Sequence, residues 1–314
     1  MSLQIRLLGK LEVLWGDRAV PLPPSRKTRA LLAYLVARPG PHSRARLCEL
    51  LWEGPDDPRA ALRWSLTKIR PLLDGNGRTW LVTDHETASF DPSHADVDLI
   101  ALRAEVGSAP AKAAIAVLKR AADRFRGEFL DGLDLPDCYR YHEWWTAERE
   151  SIRALRVAIL TTLTDRFQQE PDAALAYARA RLLVDPFSEA AHISVIQLLG
   201  AAGRTREALQ QYESCRRMLD GQLGARPSAA LERARAMLGP TRPADIDTTA
   251  RVVAPAPGAT VAPLVQARGR ARSDCCGRRG GGSRPEPRCA VDYGRAGHRK
   301  NAAPRRGRPS GARR

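Results

Sequence analysis

The middle of the chain, from about residue 96 to residue 239, has a helical pattern almost throughout. Its interruptions are short and rich in glycine, proline and aspartate, and they fall at residues 107–110, 127, 134–137, 170–171, 185–186, 200–203 and 221–227. Helices of roughly 12 to 18 residues joined by such short loops predict an all-α array.

Part of this array carries an internal period. Ala174-Leu175 and Ala208-Leu209 lie 34 residues apart, and each pair opens an amphipathic helix after a short loop. This spacing is that of tetratricopeptide helix pairs. The sequence therefore predicts a tetratricopeptide-like helical-repeat domain, in which Pro186 marks the end of one helix.

The first hundred residues combine two periodicities. Apolar and polar side chains alternate in residues 3–7 and 11–15, which predicts a small antiparallel meander. Ser25, Ser43 and Asp57 then each precede a helical pattern and are suitable N-cap residues. This order predicts an α+β module with three helices.

The third helix of this module has one apolar face and one basic face. At about 100° per residue, Leu62, Leu66, Ile69 and Leu73 form one stripe and should be buried. The opposite arc and its flanks are basic and carry no acid between residues 59 and 70. The candidate DNA contacts on this face are Arg59, Arg63, Trp64, Thr67, Lys68 and Arg70.

Two short strands, predicted at 79–83 and 88–91, follow this helix and are joined by a polar turn. Three helices followed by a hairpin are typical of a winged helix, whose third helix enters the major groove. Arg63 has the reach for guanine edges, Thr67 for a base or phosphate, and Lys68 and Arg70 for phosphates. An ordinary solvated face is the alternative, and Trp64 could either contact thymine methyls or pack under the wing.

Several runs in residues 3–103 resemble the DNA-binding half of the Streptomyces antibiotic regulatory protein (SARP) family, which has a response-regulator-type winged helix. The resemblance rests on PSRKTRALL at 24–32, RLCELLW at 46–52 and ALRWSLTKIR at 61–70. It implies a regulator that binds direct repeats upstream of promoters and recruits RNA polymerase.

A second resemblance covers the helical part. Successive landmarks are similar to those of the bacterial transcriptional activation domain, which follows the winged helix in the SARP family. They are GEFL at 127–130, EWW at 143–145, ER at 148–149, DP at 185–186, GR at 203–204, EAL at 207–209, Tyr212 and LGARPS at 223–228. Trp144 and Trp145 are interpreted as packing residues between helices.

The formal net charge of +16 is concentrated at the C-terminus. Residues 241–314 hold 17 basic and 5 acidic residues, which leaves a charge of only +4 for the preceding 240. Rich in Pro, Gly, Ala and Arg, this tail cannot bury enough apolar surface to fold and is predicted to be disordered. It is either a non-functional extension, as a truncated or out-of-frame remnant of a further domain would be, or a basic arm that attracts nucleic acid.

Other function classes find little support. His142-Glu143 begins like a zinc-protease helix, but Thr146 stands where the second histidine must lie. The six cysteines and six histidines show no metal-ligand spacing, so no metal, cofactor or catalytic residue is assigned and an enzyme is not expected. With no long apolar segment and no signal peptide, a cytoplasmic protein without a membrane contact is expected.

The sequence thus predicts a mostly α protein with a winged-helix DNA-binding domain at 1–103, a bacterial transcriptional activation domain at 104–239 and a disordered basic tail at 240–314. The expected function is transcriptional activation, with double-stranded DNA, RNA polymerase and a second protomer on direct repeats as partners. A helical-repeat scaffold whose winged helix does not bind DNA is the alternative. The operator, target genes, effector and oligomeric state are left open.

Overall fold

A computed structural model describes residues 2–52, 57–74, 78–107 and 109–239. The predicted disordered tail, 240–314, lies outside these residues. The strands are β1 (Leu3–Arg6), β2 (Glu12–Trp15), β3 (Arg18–Ala19), β4 (His42–Ser43), β5 (Leu81–Thr83), β6 (Thr87–Phe90) and β7 (Ala95–Val97). The α-helices are α1 (Arg26–Ala37), α2 (Arg44–Leu51), α3 (Pro58–Leu73), α4 (Asp98–Val106), α5 (Ile115–Asp123), α6 (Tyr139–Arg166), α7 (Pro171–Val184), α8 (Glu189–Ala201), α9 (Thr205–Met218) and α10 (Ala229–Ala236).

The predicted meander forms the first sheet. β1 pairs antiparallel with β2, and β2 with β3, so that Leu3, Ile5 and Val13 are buried on its inner face. β7 joins the other edge of β1 in parallel, which the sequence did not predict, because the pairing joins residues about ninety positions apart.

Helices α1, α2 and α3 begin where the sequence predicts, because each cap side chain accepts a backbone N–H from the first turn. Ser25 accepts from Thr28 at 3.3 Å, Ser43 from Arg46 at 3.2 Å, and Asp57 from Arg59 and Ala60 at 3.0 Å. Each bond satisfies a donor that the helix itself leaves without a partner.

The predicted hairpin is present as β5 and β6 and forms the wing. A third short strand, β4, pairs with β6 and so ties the wing to the start of α2. The three helices and the wing confirm the predicted winged-helix arrangement.

The remaining residues form the predicted helical array, with α7 to α10 stacked as two successive helix pairs. Ala174 of α7 and Ala208 of α9, which mark the 34-residue period, are both fully buried. The helix lengths differ from the prediction: α4 and α5 have nine residues each, and α6 has 28. The sequence of α6 contains neither glycine nor proline, the residues that most often interrupt a helix.

One hydrophobic core runs through the winged helix and into the first half of the helical array, from Leu3 to Ala174. A smaller core, from Leu175 to Ala234, lies among α7 to α10. Helix α6 therefore packs on α2 of the winged helix and on α7 of the repeats at once. Among the described residues, no helix has the length and apolar character needed to cross a bilayer.

Candidate nucleic-acid interface

Helix α3 is held on the protein by its apolar stripe. Leu62, Leu66, Ile69 and Leu73 are all buried, as predicted. The same side includes Ser65, whose hydroxyl shares a buried 3.0 Å hydrogen bond with Thr28 of α1. Packing together with this polar contact fixes the rotation of α3, so its opposite face points to solvent.

The C-terminal end of α3 is fixed to the root of the wing. The Trp15 indole donates to the Leu72 carbonyl at 3.1 Å and packs edge-on against Trp80, with ring centroids 5.3 Å apart. The Arg70 guanidinium donates to the Thr83 hydroxyl of β5 at 2.8 Å. The wing and α3 therefore form one continuous surface.

Between α3, the start of α2 and the wing lies an open groove of about 870 Å³, called here the arginine cleft. Four arginine side chains line it. They are Arg44, Arg59, Arg63 and Arg70.

All six candidate DNA contacts are exposed, and the structure sorts them into two rows. Arg59, Arg63, Thr67 and Arg70 line the arginine cleft. Trp64 and Lys68 form a second row further round α3, and the Lys68 ammonium lies 5.5 Å from the centre of the Trp64 ring.

Arg44 belongs to this surface although sequence reasoning did not single it out. It is the first residue of α2 and donates its backbone N–H to the Glu86 carbonyl of the wing at 2.8 Å. Its Nε is buried and has no hydrogen-bond partner among the described residues. The local signal was only a basic residue after an N-cap serine, and the fold alone brings it to α3.

The turn of the wing carries two carboxylates on the cleft. Asp84 accepts hydrogen bonds from the Thr87 hydroxyl at 2.7 Å, from the Thr87 N–H at 2.6 Å and from the Glu86 N–H at 2.7 Å. These bonds, that of the Thr87 hydroxyl above all, hold the pKa of Asp84 below its ordinary value. The carboxylate is therefore charged at neutral pH, and the Glu86 side chain is exposed beside it. Phosphate contacts are thus favoured by the helices and opposed by the tip of the wing.

The described residues contain no group of three His, Cys, Asp or Glu side chains that could hold a metal ion. His142 instead stacks on Trp145, with ring centroids 5.9 Å apart. Trp145 is buried, and Trp144 packs on Tyr141 and Phe129, which agrees with packing roles for both tryptophans.

Comparison with known proteins agrees with this architecture. Residues 98–238 match the family model of the bacterial transcriptional activator domain. Regulatory protein AfsR of Streptomyces coelicolor is 27% identical over 249 residues, which cover 74% of this chain and 24% of AfsR. The chain therefore spans about a quarter of the length of this curated relative.

A solved structure is also similar. It is that of Mycobacterium tuberculosis EmbR in complex with a low-affinity phosphopeptide, which matches with a TM-score of 0.59 and 25% identity. The match covers 76% of this chain and 65% of the EmbR chain. The family match and both similar proteins confirm the SARP-type resemblance and the fold inferred from the sequence.

Proposed function

Since residues 98–238 match the bacterial transcriptional activator domain and the chain resembles SARP-type regulators, we propose that this protein is a transcriptional activator that binds promoter DNA sequence-specifically through its winged helix. The observation that carries the proposal is the exposed face of α3, which is basic, free of acids from residue 59 to 70, and continuous with the arginine cleft. A helix with such a face can enter the major groove of double-stranded DNA.

The side chains on this face have different roles in the proposal. Arg63 reads a guanine edge, because a guanidinium can bond both O6 and N7 of that base. Thr67 contacts a base or a phosphate, and its hydroxyl, which bonds the Arg63 carbonyl at 3.0 Å, is exposed. Arg59, Lys68 and Arg70 contact phosphates and set the position of α3 in the groove.

The helical array supplies the second half of the function. Stacked helix pairs build an extended surface that suits a protein partner. We propose RNA polymerase as that partner, and a second protomer on direct repeats as a further one. The protein would then act without a cofactor or catalytic step of its own, in the cytoplasm where bacterial promoters are accessible.

An electrophoretic shift assay, titrated with salt, tests DNA binding. Fragments selected from genomic DNA by the purified full-length chain should bind far more tightly than random DNA, and affinity should fall steeply with salt. Arg63→Ala should cost about 1–3 kcal/mol on the selected site and relax base preference there. Lys68→Ala should instead weaken binding to all DNA sequences to a similar degree.

A different result would favour the alternative function. If no fragment is enriched, and the chain binds all DNA weakly and equally, the winged helix serves as a protein contact and the molecule is a helical-repeat scaffold. A reconstituted transcription assay on the selected fragment then tests activation. Added protein should raise the transcript level, and unchanged transcription with intact DNA binding would remove the activator role.

A further inference from the structure

Trp64 is an exposed aromatic side chain on the face proposed to meet DNA. Half of its surface is accessible, whereas Trp80 is buried at the root of the wing. The sequence left open whether Trp64 packs under the wing. In the structure Trp64 does not pack under the wing. Trp80 and Trp15 fill the space there, and Trp64 points to solvent.

A single exposed apolar residue needs no explanation by itself. The second observation is Lys68, one helical turn further on, whose ammonium lies 5.5 Å from the centre of the Trp64 ring. This cation–π contact places a positive charge beside the indole. The pair thus presents a large apolar surface and a phosphate-binding group together.

The position of the pair completes the geometry. Arg63 and Thr67 line the arginine cleft toward the wing, while Trp64 and Lys68 occupy the part of the solvent face turned away from it. A recognition helix in the major groove presents its solvent face to the base edges. Thymine is the base that carries an apolar group there, the C5-methyl.

We propose that Trp64, beside the positive charge of Lys68, is a specificity-determining residue that contacts the C5-methyl group of a thymine in the binding site. The proposal rests on the DNA-binding function proposed above. DNA is favoured over a protein partner as the occupant, because Lys68 adds a positive charge next to the indole and α3 carries no acid that would repel phosphates.

Replacing single thymines by deoxyuridine in a selected fragment tests this contact, because the change removes only the methyl group. For the full-length wild-type chain, one or two of these replacements should weaken binding about fourfold, the effect of withdrawing one methyl-sized group from an apolar contact. In Trp64→Ala the same replacements should have no effect. Trp64→Phe should retain part of the sensitivity.

A matched control is Val82→Ala, since Val82 is an equally exposed apolar residue of the same module and lies on the wing. This variant should keep the full sensitivity to deoxyuridine. Circular dichroism spectra of all the variants should match that of the wild type, because both side chains are exposed.

The outcomes separate the two proposals. If fragments are selected but Trp64→Ala retains the fourfold deoxyuridine effect, or if no thymine responds in the wild type, the thymine contact is wrong and DNA binding stands. Loss of activation in Trp64→Ala with unchanged DNA affinity would show that the indole contacts a protein instead. If no fragment is enriched at all, both proposals fail.

Discussion

The carboxylate of Asp98 accepts a hydrogen bond from the Arg126 guanidinium at 2.9 Å, in the seam between the winged helix and the helical array. The same carboxylate accepts the backbone N–H groups of Leu7 and Leu8 at 2.8 and 3.1 Å. Asp98 thereby holds the segment after β1 and the loop after α5 in one place. Its burial makes each of these contacts strong and costly to remove.

Asp98→Ala should destabilise the protein by about 2–4 kcal/mol, because it leaves two buried N–H groups and a guanidinium without their acceptor. Urea unfolding of the full-length chain measures this loss. Asp96→Ala is the matched control, since Asp96 lies two residues earlier with an exposed side chain and should change stability little. If the two variants unfold at the same urea concentration, Asp98 does not stabilise the contact between the winged helix and the helical array.

Backbone contacts run along the same seam. Arg126 donates its N–H to the Leu8 carbonyl at 2.9 Å, and Leu130 donates to Leu7 at 3.0 Å. Gly9 has a φ of +142°, which side chains other than glycine rarely allow. A Cβ at this position would also lie 3.3 Å from the Cβ of Arg126, so glycine lets the two backbone segments approach closely. The two modules are thus joined by a β-like contact as well as by side-chain packing.

Residues 1–103 alone should therefore fail to fold, although the sequence marks them as a domain. Tyr34 of α1 packs on Trp144 of α6 with ring centroids 4.8 Å apart, and Glu49 of α2 accepts from Arg140 at 3.0 Å. Removing α6 would expose the apolar surface that it covers. Thermal unfolding followed by circular dichroism should show a cooperative transition for residues 1–239 and none for residues 1–103. A cooperative transition at the same temperature in both would show that the winged helix is autonomous.

The parts that the sequence predicted depend on contacts between near neighbours. The caps at Ser25, Ser43 and Asp57 and the apolar stripe of α3 follow from local spacing, and all are present. The seam could not be predicted, because Leu8 and Phe129 are far apart in sequence and neither carries a pairing signal. Arg44 was missed for the same reason, since its neighbour Glu86 lies in the wing.

Glu86→Gln should raise the affinity for all DNA sequences, because it removes a negative charge from the wall of the arginine cleft. The gain should be clear at low salt and vanish at high salt, since exposed charges are screened. Shift assays at two salt concentrations measure it. Asp84 is unsuitable for this test, because its carboxylate holds the turn through Thr87. Unchanged affinity at low salt would place the tip of the wing away from the phosphates.

Arg44→Ala should weaken binding to selected and random DNA equally, because Arg44 lines the arginine cleft from the side of α2 and is proposed to contact a phosphate. Loss of one phosphate contact should reduce the steepness of the plot of log affinity against log salt by about 0.9. The fold should tolerate the change, since a cation in the first turn of a helix is unfavourable to the helix dipole.

The matched control for Arg44 is Arg46→Ala. Arg46 is exposed on the same helix, two residues on, and lines a different groove that includes Arg38 and Glu143. Arg46→Ala should leave the salt dependence of DNA affinity close to that of the wild type. If Arg46→Ala flattens the salt dependence and Arg44→Ala does not, the DNA backbone runs along the outer side of α2 rather than through the arginine cleft. A loss confined to the selected sequence in Arg44→Ala would make Arg44 a base contact instead.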